Sequence, residues 1–172
     1  MRYLLTIVWF SFALRAHAQL GKQQFNVIDS TRDKLVYTSV VSVPGVTQAV
    51  LYQRARTWFA QNFEPSVVTL DDQHTGTLIG RYHSVYTKHF ILSRYPIDVW
   101  RTLTVSVRDG RYRYELTNFT ARNIAQSSAY YRVDVPAVYQ EVGPYVSQVA
   151  AQELASLLEA MQTVDGRQEK TW

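Results

Sequence analysis

Past its first 18 residues the chain keeps three histidines, His74, His83 and His89, and these and nearby acids are the residues best suited to chemistry. His83 and His89 stand six apart across a strand end, and Asp71, Asp72 and His74 cluster at a turn. Imidazole and carboxylate groups gathered in this way are ligands for zinc or copper. His74, His83 and Glu115 would also supply the acid–base set of a small hydrolase or carbohydrate-acting enzyme, if the fold drew them into one cleft. The plainer account is that these are surface polar groups beside a turn. The familiar catalytic signatures are missing: there is no G-x-S-x-G elbow, no H-E-x-x-H helix, no G-x-x-x-x-G-K-S/T and no G-x-G-x-x-G. The expectation is a non-enzymatic protein with no catalytic residue, no metal site and no cofactor.

Arg108, Arg111 and Arg113, interleaved with Tyr112 and Tyr114, imitate a basic aromatic patch for nucleic acid. Their spacing argues otherwise. Trp100 to Phe119 is two alternating runs around Asp109-Gly110, a dipeptide favoured in type I′ turns because both central residues there take positive φ. Such a turn sets Arg108 opposite Arg111, Val107 opposite Tyr112, Val105 opposite Tyr114 and Leu103 opposite Leu116. The last three pairs then share one apolar face. Both tyrosines point to the core, the arginines lie outside, and Asp109 is a turn residue rather than a catalytic carboxylate. The opposite face carries Trp100, Thr102, Thr104, Ser106 and Arg108 on one strand, with Arg113, Glu115, Thr117 and Phe119 on the other. Trp100 and Phe119 would sit side by side at its far end. The surface around Trp100, Arg113, Glu115 and Phe119 is the candidate contact site for a protein, peptide or glycan partner. Asn118-Phe119-Thr120 has the form of an N-glycosylation sequon, but inside a predicted strand it is a chance match.

The elements that must hold that face can be read on either side of it. Val36 to Val43 is dense in β-branched residues and stops at Pro44-Gly45. Thr47 is placed to cap a helix, with Val46 and Leu51 at the staple positions, and Leu51, Ala55, Trp58 and Phe59 give that helix one apolar face up to Pro65. Strands follow at Val67 to Asp72 and Thr77 to Tyr86. From Arg122 to Tyr139 the period is lost, which reads as a long loop and a movable edge to the sheet. Val146, Val149, Ala150, Leu154, Leu157, Leu158 and Met161 then return to helical spacing, with Pro144 near the start. Antiparallel strands with one apolar face need a cover there, and two amphipathic helices supply it. The expected fold is α+β, a two-layer antiparallel five-stranded sheet covered on one face by two helices, in the order β-α-β-β-β-β-α. The other face stays open or is covered by the long loop.

Met1 to Ala18 has the form of an export signal, with Arg2, an apolar run from Leu4 to Leu14, and small residues at Ala16 and Ala18. That run is shorter than the roughly 20 residues a bilayer span needs, and no later stretch approaches it. Cleavage between Ala18 and Gln19 removes two arginines and no acid, so 18 basic and 14 acidic residues become 16 and 14, and a formal charge of +4 falls to +2. So small a surplus argues for neither nucleic acid nor an acidic membrane as partner. Cysteine is absent, which removes disulfides, thiolate chemistry and the acylated cysteine of a lipid anchor. An exported domain of this kind suits a bacterial periplasm. The mature chain divides into a flexible leader (19–34), a single domain (35–161) and a charged tail (162–172), periplasmic or secreted.

Several of these segments together resemble a known family. The strand end Val43-Pro44-Gly45-Val46, the helix with Leu51-Tyr52, Arg54-Ala55 and Trp58, the Gly76 to Gly80 strand entry and the hairpin Arg108-Asp109-Gly110-Arg111-Tyr112-Arg113-Tyr114 resemble the exported domain-of-unknown-function family 4468 of Bacteroidetes. Its fold is like one repeat of the TATA-box-binding protein (TBP). The resemblance covers about Leu35 to Met161 and implies a β-α-β4-α domain. It carries no assigned activity, so no catalytic residue transfers, and likeness to a DNA-binding fold is no argument for DNA. Asp29-Ser30-Thr31 also resembles the short acidic-hydroxyl-aliphatic motif for protein O-glycosylation in such bacteria. The expected role is binding or protein interaction through the open sheet face, with a hydrolase and an envelope assembly or structural factor as alternatives. The exported chain is expected to begin at Gln19; the intact mass of the protein recovered from its host's periplasm checks this, and a mass that retains Met1 to Ala18 contradicts it.

Overall fold

The structure, a computed structural model, describes residues 28–29, 34–90, 93–125 and 128–162. The export signal with its cleavage point, most of the leader including Ser30 and Thr31, and the tail beyond Gln162 lie outside the described residues. The elements run β1 (Ile28–Asp29), β2 (Lys34–Leu35), β3 (Tyr37–Ser42), α1 (Gln48–Asn62), β4 (Val68–Asp72), β5 (Thr77–Phe90), β6 (Ser93–Arg108), β7 (Arg111–Asn123), β8 (Tyr131–Arg132) and α2 (Pro136–Gln162). A five-strand path, β3-β7-β6-β5-β4, forms an antiparallel sheet, and the two-residue β8 adds to β7. Within the segment read as leader, β1 pairs with β2.

The strand order dictates where the helices go. β3 and β4 lie on opposite edges of the sheet, so the chain between them must cross its full width, and α1 makes that crossing. Thr47 caps α1 by accepting from the Val50 amide at 3.4 Å. Leu51, Tyr52, Ala55, Trp58 and Phe59 are buried against the sheet. Gly80 permits the close approach: a Cβ there would stand 2.5 Å from the Phe59 ring. α2 lies on the same face and buries Val142, Val146, Ala150, Leu154, Leu157, Leu158 and Met161. The apolar core therefore lies on one side, and no helix among the described residues is long and apolar enough to cross a membrane.

The β6–β7 hairpin keeps the expected pairs, Arg108 with Arg111, Val107 with Tyr112, Val105 with Tyr114 and Leu103 with Leu116. Its turn is not type I′, however. Gly110 has φ 72°, but Asp109 stays at negative φ. The tip is bent to meet the loop before α1: the Gly110 amide donates to Val46 O and its carbonyl accepts from the Val43 amide, both at 2.8 Å. Asp109 accepts from the Gln48 amide at 2.7 Å, placing a carboxylate at the positive end of α1. These tertiary bonds outweigh the preference of an isolated hairpin.

Three further expectations are corrected. β5 and β6 are much longer than the sequence pattern suggested, pairing continuously from Thr77–Ser106 to Phe90–Ser93. The segment expected as a loop from Arg122 to Tyr139 is shortened at both ends: β7 continues to Asn123, and α2 begins at Pro136 with Pro144 inside it. An interior proline costs one intrahelical hydrogen bond, and burial of Val142 and Val146 on either side holds the turn in place.

The third correction concerns Phe119. Thr102 pairs with Thr117 and Trp100 with Thr120, so Asn118 and Phe119 together face the single residue Arg101. This is a β-bulge, and it reverses the alternation of β7 beyond it. Asn118 takes φ 56°, the one positive-φ non-glycine residue among those described. Phe119 turns inward, 5% exposed, with its ring edge-on to Tyr37 at 5.7 Å. It is core, and it does not stand beside Trp100 on the outer face. Phe119→Ala is accordingly expected to cost about 3–5 kcal/mol, and Asn118→Val, whose branched side chain resists positive φ, about 1–2 kcal/mol. Urea unfolding checks both; a Phe119→Ala variant as stable as wild type would return Phe119 to the surface.

Candidate functional site

The helices leave the other face of the sheet uncovered, and its most organised feature is a carboxylate. Asp98 lies on β6 with the outward-facing residues, yet is only 3% exposed. Its Oδ1 meets His83 Nδ1 at 2.6 Å, while Oδ2 accepts from the Tyr130 hydroxyl at 2.7 Å and Trp100 Nε1 at 3.1 Å. Arg122 reaches the same oxygen at 3.5 Å. Register explains the convergence. Trp100 pairs with His83 on one side, Asp98 pairs with Arg122 on the other, and the reversed alternation beyond the bulge turns Arg122 outward.

Rings and guanidiniums close over this carboxylate. His83 stacks on Trp100 with centroids 4.5 Å apart and planes 12° from parallel. Arg81 lies 5.3 Å from the Trp100 centroid and Arg122 4.6 Å from that of Tyr130. Tyr130 comes from the loop after β7, so that loop covers this end of the face; its hydroxyl also accepts from Trp100 Nε1 at 3.0 Å. Burial alone would push the Asp98 pKa up, but the hydrogen bonds from Tyr130, His83 and Trp100 outweigh it and hold the carboxyl below its ordinary value. Held in this way, Asp98 orients His83 through Nδ1 and keeps the imidazole at a half-exposed position, 49% accessible.

The four residues of the expected contact site are not brought together. Trp100 is half-buried and engaged by His83, Arg81 and Tyr130. Arg113 and Glu115 lie farther along the face, paired with each other at 2.6 Å. Phe119 is in the core. Glu115 borders a cleft of about 370 Å³ beside β7, together with Lys34, Asn118 and the ion-paired Arg132 and Asp134.

The hydrolase set does not converge either. Glu115 is level with Thr104 and Ile79, two strands from β5 and four residues along from His83, which is about 13 Å along the strand direction alone. His74 sits in the turn between β4 and β5, where Asp72 accepts from the His74 and Thr75 amides at 2.9 and 3.2 Å. Asp71 is taken by Tyr52 and Arg56. Among the described residues no group of three or more His, Asp or Glu side chains is placed to hold a metal ion. The side chain of His89 lies outside the described set.

One buried ion pair sits on the helix side. Arg101 reaches Glu153 of α2 through Nε and NH2, each at 2.9 Å, and the Ser84 hydroxyl at 3.0 Å. Burial pushes the Arg101 pKa down and the Glu153 pKa up, because each charge has been taken out of water. The pair ties α2 to the sheet opposite the bulge.

An antiparallel sheet with both helices on one face and none on the other is the architecture of a TBP-like domain. The chain belongs to the family described as domain of unknown function (DUF4468) with TBP-like fold, which residues 37–122 match. A DUF4468 family protein from Bacteroides ovatus has the same fold, with a TM-score of 0.63 at 17% identity over 86% of this chain and 95% of that one. So does a TBP-like protein from Parabacteroides distasonis, at 0.62 and 12% identity over 77% and 96%. No curated protein matches the chain.

A depressed carboxyl pKa contributes stability that is present above the unfolded value and lost as pH falls through the folded one. Asp98 should therefore give the wild type a loss of stability beginning below about pH 3.9. Asp98→Asn removes that dependence and sets an amide among donors, costing about 1–3 kcal/mol at neutral pH. Thermal melts of both proteins across the acid range check this; parallel curves would mean that Asp98 is not held as described.

Proposed function

We propose that this protein is a non-enzymatic binding module of the bacterial envelope, exported by its N-terminal signal and acting through the uncovered sheet face. The observation that carries the reading is Asp98, a carboxylate buried on a face that no helix covers. Burying a carboxylate is costly unless donors surround it, and here three side chains from β5, β6 and the loop after β7 are placed to satisfy it. The result is a preformed polar and aromatic surface, which lowers the entropy cost of binding. The Asp98–His83 contact supports a second reading, a small hydrolase with His83 as general base. That reading requires hydrolytic turnover by the purified protein that disappears in His83→Ala.

The test is positional. Immobilised mature protein is expected to retain a partner from the periplasmic extract of its own host. Thr104→Glu, in the middle of the open face, should abolish retention, whereas Thr57→Glu, on the outer surface of α1, should leave it intact. Equal retention by both variants, with both correctly folded, would remove the sheet face from the function.

A further inference from the structure

At the hairpin end of the same face three arginines crowd together. Arg108 and Arg111 are directly opposed across β6 and β7, and Arg113 follows two residues along on the same side. With Val40 and Ser106 they line a shallow hollow of about 390 Å³. Like charges placed opposite each other weaken a sheet, and the nearby acids do not relieve this pair. Asp109, between the two in sequence, is turned away to the Gln48 amide at 2.7 Å. Glu115 is paired with Arg113. Arg81 and Arg122, also on this face, are engaged at the Asp98 end. Arg108 and Arg111 have no carboxylate partner among the described residues.

The path between the two ends is lined by hydroxyls. Thr102, Thr104 and Ser106 of β6 and Thr117 of β7 are all partly exposed on this face. Guanidinium forks match sulfate, phosphate and carboxylate oxygens in two-point contacts, and a row of hydroxyls suits a hydroxylated scaffold between them. Single-stranded nucleic acid would instead call for free aromatic faces on which bases stack. The one tryptophan here is already occupied by His83 and Arg81.

We infer that Arg108 and Arg111 form an oxyanion-binding site for an anionic carbohydrate, its charged esters at the hairpin end and its hydroxyls along Ser106, Thr104 and Thr102. The inference rests on the reading of the uncovered face as a binding surface and names the chemistry of its ligand. Net charge conceals the site because it sums over the whole chain and does not register that Arg108 and Arg111 are set opposite each other.

The test uses the mature protein with a sulfated heparin-derived hexasaccharide, its desulfated counterpart, a phosphorylated oligosaccharide, oligothymidylate and anionic lipid vesicles, all at matched ionic strength. The sulfated or phosphorylated sugar is expected to bind at least about tenfold more tightly than the desulfated one, and Arg108→Thr/Arg111→Thr to lose at least about that factor, the loss of one charge-assisted hydrogen bond. Which of the two sugars binds better identifies the ester. Without ligand the double variant should melt no lower than wild type, because it removes a repulsion; a marked fall in melting temperature would show that the arginines serve the fold. Failure of both charged sugars to bind, equal binding by the variant, or equal or tighter binding of oligothymidylate or vesicles would overturn the inference. Partner retention lost in Thr104→Glu would still stand in that event, so failure here is distinguishable from failure of the binding-module reading.

Discussion

One extra residue in β7 divides this molecule into its two functional sides. Asn118 and Phe119 together face Arg101, so every residue of β7 beyond them points the other way from a regular strand. Phe119 and Ala121 enter the core, and Arg122 leaves it for the carboxylate of Asp98. In an unbulged strand Arg122 would face the helices and Phe119 would face water. The core at this end and the polar cluster on the other face therefore depend on the same local irregularity, stabilised by an asparagine that tolerates positive φ.

The two faces are then built by different physics. On the inner side, α1 and α2 bury a continuous apolar cluster, with Gly80 admitting Phe59 and the Arg101–Glu153 pair as its main charged contact. On the outer side there is little apolar area to bury, and order comes instead from hydrogen bonds to one shielded carboxylate and from stacked rings. The hairpin tip links the sides: the Gly110 contacts to the loop before α1 and the Asp109 contact to Gln48 at its start fix the hairpin that carries Arg108, Arg111 and Arg113 relative to the helix layer. A face organised in this way is closely hydrogen-bonded at one end and hydroxylated and basic at the other.

Much of the fold was legible because period-two alternation and turn chemistry act locally. Asp109-Gly110 set the correct register although the turn type differed, since a two-residue connection fixes the pairing whatever its dihedral angles. The helix from Thr47 was legible from its cap and its apolar spacing. The bulge was not, because a single asparagine in an alternating run has the same composition as a regular strand; its only sign was a residue type that accepts positive φ. The start of α2 was hidden by Pro144, which reads as a boundary and is tolerated here by burial on both sides. The site was least legible. Asp98, His83, Arg122 and Tyr130 come from three strands and a loop, and only the paired register of β5, β6 and β7 brings them together. Trp100 was found as an aromatic on the outer face, but its partners were not.

If the outer face is the working surface, it must be the side shielded in the cell. Hydroxyl-radical footprinting of the protein in its native envelope, compared with the isolated mature chain, tests this most directly. Trp100, Tyr130 and His83 should be protected in the envelope while the exposed residues of α1 keep their reactivity. Protection confined to the helix side, with Trp100 and Tyr130 as reactive as in the isolated chain, would contradict it.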